Sequence, residues 1–550
     1  MPTLDWIGKR AVVDHHRQVP FHLLRENPAL SIGNPAEGNL LVQGDNLLAL
    51  KALLPYYADQ VKCIYIDPPY NTGNEGWVYN DNVNALEISK WLGEVVGREA
   101  DDLSRHDKWL CMMYPRLMLL KEFLRDDGII FVSIGEDEVG NLRCLLDEVF
   151  GIKNRLGTLV WKRRSSSAMR GMPLSVDHEY ILAYGLDSSA TVLHGLAKGI
   201  EAYPYEDEDG RRYASTDLTV GMSREVRPGQ FYPITNPRTG VTYEPNPARV
   251  WRFFPETMRQ VIQDDLIIWP DEAEGNLTRP RFKTVFDPVK ARPKPVSTWI
   301  TSANTNDREV LAEESEYDVS ILAAGMTQEG GRLLQQIFGS QAFAYPKPLS
   351  LVRSLIRAAT RNNDIVLDSF AGSGTTGHAV LDLNNEDGGN RRFLLCELEQ
   401  SVAQEITAER LRRVSEGYGD TPGLGGGFRY FDLGPTLFDA DGRIREEVSF
   451  AELARHVYFT ETGHPLPEGS LNGTPLLGVA NGIAVYLLYN GILKDKSPAG
   501  GNVLTREVLT SLPPHDGPKV VYGTSRRVSP ETLRRAGIVF RQTPYEIRTR

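Results

Sequence analysis

Asp67, Pro68, Pro69 and Tyr70 follow directly on the apolar run Val61-Lys62-Cys63-Ile64-Tyr65-Ile66. A strand that ends in a carboxylate, a stiff backbone and an aromatic ring suits the activation of an exocyclic amine on a nucleobase. The lone pair of such an amine is delocalised into its ring, so the nitrogen is a poor nucleophile. A carboxylate accepting one N–H, with a backbone carbonyl accepting the other, shifts it toward a tetrahedral, reactive geometry. Asp67 would be the carboxylate. Proline fixes φ and carries no N–H, so the Pro68 carbonyl can be held rigidly as the second acceptor. Tyr70 offers a π-face to a base drawn out of a duplex.

A second stretch supplies a place for the electrophile. In DSFAGSGTTGHAV, residues 368–380, a strand ends at Asp368, a glycine turn follows and a helix begins. Gly372 to Gly377 spell G-x-G-x-x-G, and Glu397 ends the next apolar run, where a ribose-binding acid belongs. Taken alone, this motif fits a nicotinamide-dependent oxidoreductase. No lysine stands at the G-K-[ST] position, which argues against a nucleoside triphosphate. S-adenosylmethionine has an adenosine, an amino-acid end and no phosphate, so it suits a glycine loop without that lysine. Glu397 would take its ribose hydroxyls, and Asp368 is near enough in sequence to meet its ammonium.

Alternating strand and helix signals must position both motifs. Strands are expected at 39–45, 61–67 and 128–135, with helices at 46–58, 109–128 (stopped by Gly128) and 138–151. The alternation resumes at 348 with a helix to 359, a strand at 363–368, a helix at 373–384, a strand at 391–397 and a helix at 401–414. Such alternation predicts an α/β fold with a mostly parallel sheet. Residues 165–340 are irregular and rich in Pro, Gly, Arg and aromatic side chains, so they are expected to form an inserted domain. TPGLGGGF at 421–428 reads as a linker, and 429–550 as a small mixed unit.

Composition bounds the class. The chain has 550 residues, 41% of them apolar and 24% charged, as an ordinary globular protein would. No apolar run reaches spanning length, and the N-terminus has no signal-like stretch, so a cytoplasmic location is expected. Cys63, Cys111, Cys144 and Cys396 each sit in an apolar run without ligand spacing and read as reduced core residues. His15-His16 has no partner ligands at a useful spacing and reads as a surface pair, so no metal is expected. His178-Glu179 reads as the flank of the strand YILAYG. The net charge of -11 argues against nucleic acid only on average. Residues 151–300 are basic relative to their flanks and open on Lys162-Arg163-Arg164, which could lie on phosphates or form a solvated face.

DPPYNTG and DSFAGSGTT together resemble the amino-methyltransferases of DNA, which act on adenine N6 or cytosine N4. The catalytic motif precedes the cofactor motif, with a basic irregular segment between, an order similar to that of the beta class. LLVQGDNLLALKAL, YPKPLSLVRSLI and the C-terminal FRQTPYEIRTR further resemble the modification (Mod) subunits of type III restriction–modification systems. The resemblance implies a seven-stranded sheet of the class I S-adenosylmethionine-dependent methyltransferase type. It divides the chain into an N-terminal arm (1–30), a catalytic half (31–164), a target-recognition domain (165–340), a cofactor half (341–420) and a C-terminal assembly domain (429–550). It makes Asp67, Pro68, Pro69 and Tyr70 the catalytic loop, and Asp368, Phe370, Gly372 and Gly374 the cofactor loop, with Glu397 on the ribose. Asp45 would face the cofactor adenine, and Lys347 would lie at its methionine end, although Tyr-Pro-Lys-Pro here replaces a longer Thr-Gln-Lys-Pro motif. It implies double-stranded DNA as substrate, a homodimer, and a helicase–nuclease restriction subunit as partner, since no ATP-binding loop or nuclease motif is found in the chain. Asp at the head of D-P-P-Y favours adenine. Cytosine N4, an RNA target, and a recognition subunit without catalysis remain alternatives.

Overall fold

The computed structural model describes residues 4–34, 37–72, 104–165, 174–194, 203–273, 277–286, 295–302, 321–489 and 500–543. Gly73 of the catalytic motif and the last seven residues of the C-terminal one lie outside them.

Val61–Ile66 (β3) is buried at every position, which marks a strand covered on both faces. It sits in the middle of a sheet of eleven strands among the described residues. The first half of the sheet comprises His22–Glu26 (β1), Leu40–Gln43 (β2), β3, Leu124–Ile134 (β4), Arg155–Lys162 (β5) and His178–Gly185 (β6). The second half comprises Trp299–Ser302 (β7), Ala323–Ala324 (β8), Ile365–Asp368 (β9), Arg392–Glu397 (β10) and Arg429–Thr436 (β11). Their order is β1-β11-β2-β10-β9-β3-β4-β6-β5-β7-β8. The seven strands from β2 to β5 form the expected seven-stranded sheet, parallel except for β6, which runs antiparallel between β4 and β5. β1 and β11 extend one edge and β7 and β8 the other.

The helices are locally specified. Asn46–Tyr57 (α1) is capped by the Asp45 side chain, which accepts from Leu47 N. Arg105–Phe123 (α2) starts with a capping box between Ser104 and Asp107. α2 passes straight into β4 at Leu124, so Gly128 lies inside the strand and does not stop the helix. The acids after the helix are neutralised there: Asp127 pairs with Arg125 and with Lys62 of β3, which ties this end of β4 down as a strand. Leu349–Ala359 (α3) and Thr375–Asp387 (α4) flank β9. Glu409–Glu416 (α5) follows β10 through a π-helical turn, Ala403–Ala408.

Two expected boundaries move. β6 belongs to the main sheet, and the second compact unit runs from His194 to Val296 instead of starting at 165. Among its described residues, four short strands form one antiparallel sheet and four more form two antiparallel pairs, with the helix Pro255–Gln263 and a core around Trp251, Met258 and Trp269. The chain then rejoins the main sheet through β7, which pairs parallel to β5. β6 is buried continuously from Ile181 to Gly185, and a short apolar run does not by itself show which sheet it joins.

The second change concerns 429–550. β11 is a strand of the main sheet, parallel to β2 and antiparallel to β1. The glycine stretch before it is packed tightly: a Cβ on Gly427 would come within 2.3 Å of the Ile32 carbonyl oxygen. Glycine is required there for close backbone approach, which reads in a sequence like a flexible linker. Phe450–Thr462 (α6) packs on α1, and the four-stranded sheet of Leu476–Ala480, Ile483–Leu487, Lys519–Gly523 and Ile538–Gln542 shares the main core. This region is continuous with the catalytic unit rather than separate from it.

Two single-residue expectations also change. Cys144 is exposed, since it lies on the outer face of the helix Val139–Leu146. His16 is buried at 3% exposure, and burial pulls its imidazole down to about 4. No helix among the described residues is long and apolar enough to cross a membrane.

Candidate active site

β3 and β9 are neighbours, with Ile64 opposite Leu367, so Asp67 and Asp368 emerge side by side at the same sheet edge. Both line one cleft. Residues 300 apart in sequence are thus brought together by one parallel pairing. Lys347, Phe370 and Gly372 line the same cleft, as do Phe343 and Tyr345, which the motifs did not single out.

The catalytic loop is held from several sides. Trp109, fully buried in α2, donates its indole N–H to the Pro69 carbonyl at 2.7 Å. Asn71 adopts a left-handed backbone (φ 57°), and its amide donates to the buried Glu138 carboxylate and to the Arg105 carbonyl. Gly135, after β4, lets the Tyr70 ring lie close: a Cβ there would come within 3.0 Å of ring Cδ2. The Tyr70 hydroxyl donates to Glu179 Oε2 at 2.9 Å.

Asp67 is an unusual carboxylate. Its Oδ2 pairs with the Lys347 ammonium at 2.9 Å, while among the described residues its buried Oδ1 accepts no hydrogen bond. Burial raises the carboxyl above its ordinary range, against the pull of Lys347. Burial alone would lower Lys347, but the carboxylates of Asp67 and Glu179 outweigh it and hold the ammonium above its usual value. That ammonium also lies over the Tyr70 ring, 4.7 Å from its centroid.

The glycine loop forms the other wall. Asp368 accepts from Phe370 N (2.9 Å) and from the Thr376 hydroxyl (2.5 Å). Glu397 accepts from Gly372 N (2.8 Å) and Glu399 N (3.0 Å). Burial pushes each carboxyl up to about 7. Gly372 and Gly374 have φ of 50° and 77°, and a Cβ on Gly372 would press on Phe343 at 3.3 Å. Behind the loop, buried Arg410 donates to the Ser373 carbonyl and hydroxyl and to the Thr375 hydroxyl. Arg410 also meets His378 Nδ1 at 3.2 Å. Arginine can only donate, so that nitrogen is the acceptor and the imidazole proton sits on Nε2.

Other expected residues fall elsewhere. Asp45 is absent from the cleft lining, and its carboxylate caps α1 and pairs with Arg116 at 2.9 Å. Gly374 and Glu397 are absent from the cleft lining, although Glu397 is hydrogen-bonded to Gly372, which is part of it. Lys162 ends β5 opposite His178, Arg163 pairs with Glu179 at 3.1 Å, and Arg164 faces Asp177 at 3.5 Å. Among the described residues no cluster could hold a metal ion.

A sheet of this strand order, with a glycine loop and two acids at the ends of neighbouring central strands, defines a class I methyltransferase fold. The chain belongs to the DNA methylase family whose profile, for N6 and N4 methylation, matches residues 61–409. It is 31% identical over 409 residues to the type III restriction–modification enzyme StyLTI Mod subunit of Salmonella typhimurium, covering 70% of this chain and 58% of that one. It is 28% identical to the EcoP15I Mod subunit of Escherichia coli, over 86% of this chain and 78% of that one. The type II methyltransferase M.KpnI of Klebsiella pneumoniae is also 28% identical, over 68% of this chain and 88% of that one. The chain therefore spans little more than half the length of the Salmonella subunit.

Proposed function

We propose that this chain transfers a methyl group from S-adenosylmethionine to adenine N6 in duplex DNA, as the modification subunit of a type III restriction–modification system. The carrying observation is the cleft that Asp67 shares with Asp368 and the glycine loop. The sulfonium cofactor supplies an activated methyl group. Asp368, on the cleft wall with lone pairs to spare, suits its ammonium, and Phe343 and Phe370 suit its apolar faces. Glu397, with Gly372, suits the ribose. Asp67 Oδ1 accepts one N–H of the target amine and the Pro68 carbonyl the other, so the lone pair points at the incoming methyl carbon. Tyr70 stacks on the extruded base, a contact worth roughly 1–3 kcal/mol.

Similarity to Mod subunits and the Asp at position 67 favour adenine over cytosine N4. Lys162 and Arg164 suit phosphate contacts, whereas Arg163 is shared with Glu179. Recruitment of a restriction subunit and dimerisation belong to the same proposal. The test is to sequence modified bases in host DNA with and without the gene, and with Asp67→Ala. N6-methyladenine at one motif, lost in both controls, is expected. Methylcytosine at that motif would move the target to N4, and modification that survives Asp67→Ala would overturn the site.

A further inference from the structure

Glu179 lies on β6, the reversed strand, and is only 6% exposed. A buried carboxylate persists only with partners. Its partners are the Tyr70 hydroxyl at 2.9 Å, Arg163 Nη1 at 3.1 Å and the Lys347 ammonium at 3.5 Å. One of these three, Lys347, lines the cleft with Asp67, and Tyr70 stands three residues beyond Asp67 in the catalytic loop.

Lys347 is shared between two acids, 2.9 Å from Asp67 and 3.5 Å from Glu179. It also covers the Tyr70 ring. A base that stacks on that ring and donates to Asp67 therefore competes with the ammonium on both counts. The ammonium is too buried to be left without a counter-charge. A carboxylate half an ångström further off gives it a place to go without returning to water.

We propose that Glu179 is a positioning residue for methyl transfer: it fixes the Tyr70 ring through the hydroxyl and takes over Lys347 when the target base occupies Asp67. This rests on Asp67 and Tyr70 handling the base. Glu179 touches neither base nor cofactor and acts through these two neighbours. Arg163, just past the end of β5, donates to the other carboxylate oxygen and aims it.

The test uses the full chain with two duplexes: one carrying its own methylation site, for kcat, and one with 2-aminopurine at the target position, which has no amine at C6 and only reports base extrusion. Glu179→Gln keeps the shape but loses the charge. It should leave S-adenosylmethionine affinity within about twofold, lower kcat at least about tenfold, as loss of hydrogen bonds to a charged group does, and dim the 2-aminopurine signal. Glu179→Asp should recover part of kcat. Tyr70→Phe, which keeps the ring and removes only the hydroxyl, should also lower kcat, and the double variant should lose less than the product of the two. Parent-like kcat and fluorescence in Glu179→Gln, beside an inactive Asp67→Ala, would overturn this proposal alone. Should Glu179→Gln not fold, parent-like behaviour of Tyr70→Phe overturns the anchoring role. An active Asp67→Ala would instead remove the reading beneath it.

Discussion

Trp109 donates its indole N–H to the carbonyl of Pro69, 2.7 Å away and 40 residues earlier in the chain. The bond takes up the carbonyl of the second proline, and in the proposed mechanism that of the first serves the target amine. It also explains why two prolines in succession stay in one orientation: their rings fix φ, and Trp109 fixes the peptide that follows. Trp109→Phe should cost about 1–3 kcal/mol of stability through the lost bond and the vacated volume. Its kcat should fall while S-adenosylmethionine affinity holds. Denaturant unfolding and single-turnover kinetics check both, and an unchanged kcat would free the loop from this tether.

The two acids of the cofactor wall give a pH dependence. Burial pushes Asp368 and Glu397 up to about 7, from ordinary values of 3.8 and 4.5. Between about pH 4 and 7 the unfolded chain therefore holds fewer protons than the folded one, and the ligand-free protein loses stability as pH rises through that window. A cofactor ammonium at Asp368 favours the ionised form. Binding should then expel protons near pH 7 and tighten as pH rises. Calorimetry in two buffers of different ionisation enthalpy measures the protons, and thermal shifts at pH 6 and pH 8 should show the larger gain at pH 8.

Arg410 is an arginine buried at 1% exposure with no carboxylate partner among the described residues, and burial pulls it down to about 9. Its donors all go to Ser373, Thr375 and His378. Arg410→Met leaves these acceptors unpaired, at about 1–3 kcal/mol for a buried group. The glycine loop should loosen, and S-adenosylmethionine should bind about tenfold or more weakly, with Asp67 and Tyr70 undisturbed. Equilibrium binding distinguishes this from a catalytic defect, because a normal dissociation constant would show that the loop stands without Arg410.

Removal of 426–550 should not yield a trimmed enzyme. It takes away β11, including buried Tyr430 and Phe431, and leaves the edges of β1 and β2 without a partner. A cut after Thr436 spares the strand but removes Leu453 and Val457, which share a core with Leu47 and Leu50. Both truncations should aggregate or melt well below the full chain in a thermal scan. A folded, cofactor-binding product of the first cut would show that the region is a separable domain after all.

The parts of the site legible in the sequence were those encoded locally. Asp67-Pro68-Pro69-Tyr70 and the glycine loop each sit at the end of a strong apolar strand, so strand signals and turn residues locate them together. Glu179 was passed over because its meaning comes from pairing: Trp161 lies opposite it across β5 and β6, and Tyr70 reaches it from another strand end. Arg163 was grouped with Lys162 and Arg164 for the same reason, since a run of basic residues does not show which of them faces an internal acid. Lys347 lies in the expected cleft, and its two ends face different motifs. Its backbone carbonyl accepts from Thr375 of the cofactor loop, while its ammonium reaches across to Asp67. His16 and Cys144 went astray because a four-residue helix and the outer face of a short one carry too little periodicity to show which side is covered.

β1 pairs only with β11 in the sheet order, with Leu24 opposite Leu433. An early strand thus waits for one made some 400 residues later. At ribosomal speeds of about 5–20 residues per second that interval is on the order of 20–80 s. During it the N-terminal segment exposes an apolar edge whose proper mate does not yet exist. Such late closure slows folding, because long-range pairing is rewarded only after a large loop has been closed. The chain should accordingly depend on chaperones or low temperature for good yield, and the last strand of its main sheet completes the first rather than merely following it.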